Sequence, residues 1–145
     1  LVARRLPDLE LGFFAHRAYL QQHGTPKTFA ELQQHPLIGF DENNEFIDGA
    51  ARMGYQFVRG NFALRTDHLL MQISLLRAGA GIAATHVRLA EHWPELQRIL
   101  DWAPLPPLEF WVVCHHDVRF NTRIHTVMQF LSDWFADDPY AHALL

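Results

Sequence analysis

The run from Phe62 to Ala84 limits the possible folds more than any other stretch of the chain. Phe62-Ala63-Leu64-Arg65 reads as a strand, and Thr66 and Asp67 then offer two side chains suited to capping a helix. Leu69, Leu70, Ile73, Leu76 and Arg77 recur at helical spacing, and Gly79 stops that helix before the apolar run Ala80–Ala84. A strand, a helix, a glycine and a second strand make a βαβ unit, which predicts a parallel strand pair with a right-handed crossover. The fold class is therefore expected to be α/β.

The flanking sequence extends the alternation. Leu6 to Ala15 passes from a partly alternating to a wholly apolar pattern, as a strand does on entering a core, with Pro7 at its edge end. His16 to His23, closed by Gly24, reads as two helical turns. Thr28 with Glu31 forms a capping-box pattern for a helix from Phe29 to His35, ended by Pro36. A buried strand is expected over Leu37–Phe40, a polar loop over Asp41–Glu45, and a strand at Tyr55–Val58 after a loop or short helix. Further on come a helix over Val87–Trp93, a strand over Leu96–Leu100, a stiff linker at Pro104, Pro106 and Pro107, and an apolar strand over Leu108–His115. Asn121 or Thr122 caps a last helix, whose apolar face is Ile124, Val127, Met128, Leu131, Trp134 and Phe135.

Charge and cysteine content exclude several functions. The net charge is -4, and the 12 lysines and arginines are scattered, so no basic stripe tracks a phosphate backbone. The single cysteine, Cys114, rules out a disulfide framework and is expected to be a buried strand residue in a reducing, cytoplasmic protein. No apolar run reaches the ~18 residues needed to cross a bilayer, so no membrane partner is expected.

Catalytic patterns are missing as well. Cys114 lies in an apolar run that would raise its pKa, and Ser74 and Ser132 both fall inside helices. Gly79-Ala80-Gly81 follows a helix instead of opening one, which is the wrong polarity for a dinucleotide loop. His115, His116 and His125 form the densest group of the 10 histidines, but neighbouring residues on a strand point to opposite faces, and no metal-ligand spacing is present. No catalytic residue, metal ligand or cofactor is assigned, and a small His-rich metalloenzyme is the weakest alternative.

Several motifs taken in order resemble the effector-binding domain of LysR-type transcriptional regulators. They are Leu1-Val-Ala-Arg-Arg-Leu6 entering a strand; Ala15-His-Arg-Ala-Tyr-Leu-Gln-Gln-His-Gly24-Thr-Pro26; Phe29-Ala-Glu-Leu32 with His35-Pro36-Leu37; Arg77-Ala-Gly79-Ala-Gly81-Ile-Ala83; and Trp111-Val-Val-Cys-His115 with Asp117, Arg119 and Arg123. The resemblance covers nearly the whole chain. It implies the type 2 periplasmic-binding-protein-like architecture, in which two α/β lobes joined by two crossing strands hold a small molecule in the cleft between them.

On that mapping residues 1–15 are a crossing strand from a first lobe only partly present. Residues 16–106 are a complete second lobe, and residues 107–145 are the returning strand and terminal helix of the first. The resemblance also implies DNA binding through an N-terminal winged helix-turn-helix lying outside this chain, a homodimer or homotetramer, and an effector that is a small molecule such as an organic anion. A solute-binding protein of a transporter shares the architecture and is the alternative function.

Five residues are expected to contact the effector. Thr66 stands at a helix start whose free amides attract an anion, although it also reads as a simple cap, and Asp67 beside it would repel one. Gly39 and Phe40 end a buried strand next to a polar loop, the usual place for ligand contacts in an open α/β lobe. Phe14, with Phe13, lies on the first crossing strand, and Thr85 at the carboxyl end of the strand after Gly81.

Overall fold

The computed structural model describes residues 1–137; the remainder of the expected 107–145 segment lies outside the described residues. It divides into two compact units, one of residues 10–106 and one of residues 1–9 with 107 onward. The chain passes between them at Leu9–Glu10 and again at Pro106–Pro107.

The larger unit is built on a five-stranded mixed sheet. Its strands are β2 (Leu11–His16), β3 (Leu37–Gly39), β4 (Phe62–Arg65), β5 (Ile82–His86) and β6 (Leu96–Ile99), in the order β4-β3-β5-β2-β6. β3 runs parallel to both β4 and β5, while β2 is antiparallel to β5 and β6. The βαβ expectation is thus corrected in one respect. β4 and β5 share a direction but do not pair, because β3 lies between them and donates its ladder to both.

Period-two alternation sends each strand's neighbours into opposite layers. Phe13, Leu37 and Ile82 enter one core with Tyr19 and Leu20 of α1 (Arg17–His23), Leu32 of α2 (Phe29–Leu32) and Ala50 of α3 (Glu45–Arg52). Phe14, Ile38 and Ala83 enter the other, with Leu76 of α4 (Leu69–Arg77) and Val87 and Ala90 of α5 (Val87–Ala90). Leu32 and Leu76 are both fully buried, and each such side chain contributes about 1.5–3 kcal/mol of apolar burial.

Local sequence chemistry explains the helix ends, with corrections. Thr28 Oγ1 accepts the N–H of Glu31 at 3.2 Å, but the Glu31 carboxylate reaches the N–H of Lys27 instead of Thr28, so only half the capping box forms. The helix it starts is a single turn. The cap of α4 is neither Thr66 nor Asp67 but His68, whose Nδ1 accepts the N–H of Met71 at 3.3 Å. That helix turns Gln72 and Leu76 inward, leaving Leu69, Leu70 and Met71 exposed.

No strand forms at Tyr55–Val58: Phe57 is buried among the rings of Phe13, Phe29 and Phe46, and Gln33 Nε2 takes the Gln56 carbonyl at 3.0 Å in place of a ladder partner. The Val87–Trp93 helix stops at Ala90, and β6 stops at Ile99 where Leu100 turns to φ 49°.

The smaller unit pairs β1 (Val2–Arg5) antiparallel with β7 (Trp111–Cys114), under α6 (Thr122–Ala136). Asn121 caps α6 by accepting the N–H groups of Arg123 and Ile124, while Arg4 Nη1 donates to Gln129 Oε1 at 2.8 Å and Phe110 meets Phe135 with ring centroids 5.1 Å apart. The two long crossing strands of the sequence reading are shorter here. Between β1 and β2, and again before β7, only the bridge Leu9–Leu108 is strand-like, since Pro7 has no N–H to give. Cys114 is half-buried instead of buried, because β7 has only one covered face. Among the described residues no helix is long and apolar enough to cross a membrane.

Candidate functional site

A hollow opens in the larger unit at the carboxyl end of β3. Its walls are Phe13 of β2; Leu37, Ile38, Gly39 and Phe40 along and after β3; Asn43 of the following loop; Phe46 and Ile47 of α3; Phe62 of β4; Gln72 of α4; and Ile82 and Ala84 of β5. Its cavity volume is about 30 Å³, and the recess around it is open to solvent. Strand alternation sends Phe13, Ile82 and Ala84 to this side, and Gly39 leaves room for the Phe62 ring, which a Cβ at Gly39 would meet at 2.4 Å.

The lining carries no charged side chain, and its polar groups are two carboxamides. Gln72, only 6% exposed, donates Nε2 to the Thr66 carbonyl at 2.7 Å, while Asn43 Oδ1 accepts the N–H of Glu45 at 2.8 Å. Beside the hollow, the Asp67 carboxylate accepts the backbone N–H groups of Asp41, Glu42 and Asn43, each at 3.1 Å. Those bonds, Asn43 and Glu42 foremost, hold its carboxyl below the usual carboxylate range. Arg59 ion-pairs with Asp41, and Arg65 Nε lies 3.4 Å from the same carboxylate. The Asp41 partnership raises the Arg59 guanidinium further.

The structure brings some of the expected contact residues together and not others. Gly39 and Phe40 line the hollow. Thr66 stands one layer behind it: its N–H donates to the Gly39 carbonyl at 3.0 Å, its hydroxyl accepts from the N–H of His68, and its carbonyl holds Gln72. Phe14 points into the opposite core, because Phe13 next to it takes the hollow side. Thr85 is displaced by the same parity, since its neighbour Ala84 faces the hollow and Thr85 lies opposite Gly12.

Gln72, Asn43, Phe46, Ile47, Phe62 and Ala84 escaped the sequence reading. The signal for Gln72 was present: a polar residue one turn ahead of Leu76, on the helix face that packs against the sheet.

His115 to Asp117 end the strand and open a turn, as the sequence suggests: β7 stops at Cys114, and His115 and His116 enter a 3-10 turn with their rings 4.5 Å apart. With Asp117 they set three possible ligand atoms within 4.8 Å of one another, all exposed. The Asp117 carboxylate lies against both imidazoles, 3.1 Å from His115 and 2.7 Å from His116, so the three side chains contact one another directly.

Comparison with known proteins assigns the family. The model of the LysR substrate binding domain matches residues 1–136. The chain belongs to this family.

Among solved structures, the LysR substrate binding domain described here is similar to the regulatory domain of CrgA, a LysR-type transcriptional regulator from Neisseria meningitidis. The two share 26% identity with a TM-score of 0.77, over 92% of this chain and 68% of that one. It shares its fold with the effector domain of the transcriptional regulator AmpR of Pseudomonas aeruginosa, at 16% identity and a TM-score of 0.71, over 94% of this chain and 65% of that one. The same holds for the full-length Vibrio cholerae virulence activator AphB, at 18% identity and 0.69, over 93% of this chain and 48% of that one. The chain therefore spans about half the length of full-length regulators that it matches. No curated protein matches its sequence.

Proposed function

We propose that this LysR substrate binding domain is the effector-sensing part of a transcriptional regulator, with the β3 hollow as the surface on which the larger unit meets a small molecule. The observation that carries the reading is the hollow itself: a mainly apolar, solvent-open recess with two carboxamides in its lining at the carboxyl end of a parallel strand, the usual position for ligand contacts in an α/β sheet. In this reading residues 10–106 are the second lobe, and the smaller unit belongs to the first.

Control follows from differential binding. An effector shifts the protein only as far as it binds one arrangement more tightly than another, and DNA contact belongs to a winged helix-turn-helix elsewhere in the regulator. The regulator works in the cytoplasm as a homodimer or homotetramer, a reading supported by the exposed Trp111, Val113, Val127, Phe130 and Trp134 of the smaller unit. Catalysis is no part of it: the hydroxyls of Ser74 and Ser132 are committed to the carbonyls of Leu70 and Met128, each at 2.8 Å.

A thermal-shift screen of small metabolites tests the site when run on the native chain and on Ala84→Leu, which narrows the hollow. Ligands that stabilise the first and lose most of that effect with the second are expected; ligands indifferent to the substitution would contradict it. The coding sequence upstream of Leu1 tests the regulator. A winged helix-turn-helix there is expected, whereas an export signal would shift the reading to a solute-binding protein.

A further inference from the structure

The charges around the hollow state what kind of ligand it admits, a deduction that rests on the hollow being the effector site. Three consecutive backbone N–H groups, those of Asp41, Glu42 and Asn43, converge in the manner that cradles a carboxylate or phosphate. That cradle is already filled by the carboxylate of Asp67, 3.1 Å from each nitrogen. The nearby cations are committed as well, since Arg59 and Arg65 both face the Asp41 carboxylate.

Inside the hollow, Phe13, Phe40, Phe46 and Phe62 provide ring faces, and Asn43 and Gln72 provide the polar groups. With the bonds already described in place, their remaining capacity is the carbonyl oxygen and second N–H of Gln72, and both amide protons and a second acceptor position on Asn43. An anion entering would give up hydration, meet no counter-charge, and approach a fixed carboxylate through Asn43, which both lines the hollow and bonds Asp67.

We infer that the hollow selects an uncharged, ring-bearing ligand offering both a hydrogen-bond donor and an acceptor, and that Asp67 is the specificity-determining residue that turns carboxylates away. This replaces the organic anion of the sequence reading. Asp67 acts by position: it fills the cradle of the Asp41, Glu42 and Asn43 amides and sets a fixed negative charge beside the hollow, so a ligand carboxylate loses that cradle and meets repulsion.

Benzamide and benzoate are matched probes, alike in ring and shape but different in charge. Each is titrated into the chain labelled at amides and methyl groups, and binding is read from the Ala84, Ile47 and Ile82 methyl resonances. Benzamide is expected to bind about tenfold or more tightly than benzoate. Asp67→Asn should shrink that ratio by about tenfold by removing the fixed charge and the Oδ2 acceptor of the Glu42 amide, whereas Asp67→Glu, which keeps the charge, should hold it near the native value.

Benzoate binding as tightly as benzamide to the native chain, or a ratio unchanged in Asp67→Asn, overturns the inference and leaves the ligand site standing. If neither probe moves these methyl resonances, the ligand reading of the hollow falls, and the inference with it.

Discussion

The carboxylate of Asp67 accepts the backbone N–H of Asn43 at 3.1 Å, and Asn43 is at the same time a wall of the hollow. One residue thus couples the loop that follows β3 to the space a ligand would fill. Because the same carboxylate also holds the amides of Asp41 and Glu42, the shape of the loop depends on the charge of a single exposed side chain.

That dependence sets a pH response. The Asp67 carboxyl is held below the usual carboxylate range by the amides of Asn43 and Glu42. A depressed folded-state pKa means that its stabilisation is fully present above the ordinary carboxylate pKa and is lost as pH falls through the lower, folded value. The amide resonances of Asp41, Glu42 and Asn43 should move together in an acid titration, with a midpoint below that of an unperturbed aspartate. A midpoint at or above the ordinary value would contradict the clamp.

Two glycine substitutions should differ in cost. A Cβ at Gly39 meets the Phe62 ring at 2.4 Å, and a side chain can move, in this case into the hollow. A Cβ at Gly81 meets the Pro36 carbonyl oxygen at 2.2 Å, and that oxygen also accepts the Ile82 N–H at 3.0 Å, so backbone would have to yield. Gly39→Ala should destabilise by about 1–3 kcal/mol and weaken ligand binding, and Gly81→Ala should cost more. Chemical denaturation of the two variants measures the order; the reverse order would show that the β3–β5 junction is more pliable than its geometry implies.

The Tyr19 hydroxyl lies 2.7 Å from His35 Nδ1 and joins α1 to the segment before β3. Burial, aided by the nearby His23, pushes the His35 imidazole below its usual range. The unfolded chain therefore takes up the proton first as pH falls, so stability should rise with pH through the ordinary imidazole range and level off above it. Removing the hydroxyl in Tyr19→Phe should cost about 1 kcal/mol at neutral pH. Denaturation midpoints for native and variant chains across that range check both statements.

On the smaller unit, Val127 and Phe130 of α6 are 54% and 63% exposed, and Trp111 of β7 is 47% exposed. So much uncovered apolar surface predicts self-association of the chain. Light scattering at micromolar concentration should report a dimer or larger species, with the double variant Val127→Glu, Phe130→Glu shifting it toward monomer while its circular dichroism is retained. A stable native monomer would count against this assembly.

Sequence periodicity made the alternating order of strands and helices legible, because each amphipathic stretch carries its own signal: Gly24 and Asn121 mark helix ends, and the Leu37–Gly39 and Phe62–Arg65 strands fall where the apolar runs lie. It could not show that β3 inserts between β4 and β5, since strand order is decided by packing in three dimensions. The same limit governed the site. Gly39 and Phe40 were readable as the end of a buried strand beside a polar loop. The choice between Phe13 and Phe14, or between Ala84 and Thr85, turns on a parity that two adjacent apolar residues do not reveal. His68 took the cap expected of Thr66 because Asp67 was drawn off by the loop amides, a contact spanning 24 to 26 residues.

A fragment screen on the methyl-labelled chain, scored by where the saturable shifts fall, tests most directly whether the β3 hollow binds a ligand. Hits are expected to cluster on Ile47, Ile82 and Ala84, with Gln72 side-chain amide resonances moving in step. Saturable binding whose shifts leave those groups untouched would mean that the β3 hollow is not where this LysR substrate binding domain meets its effector.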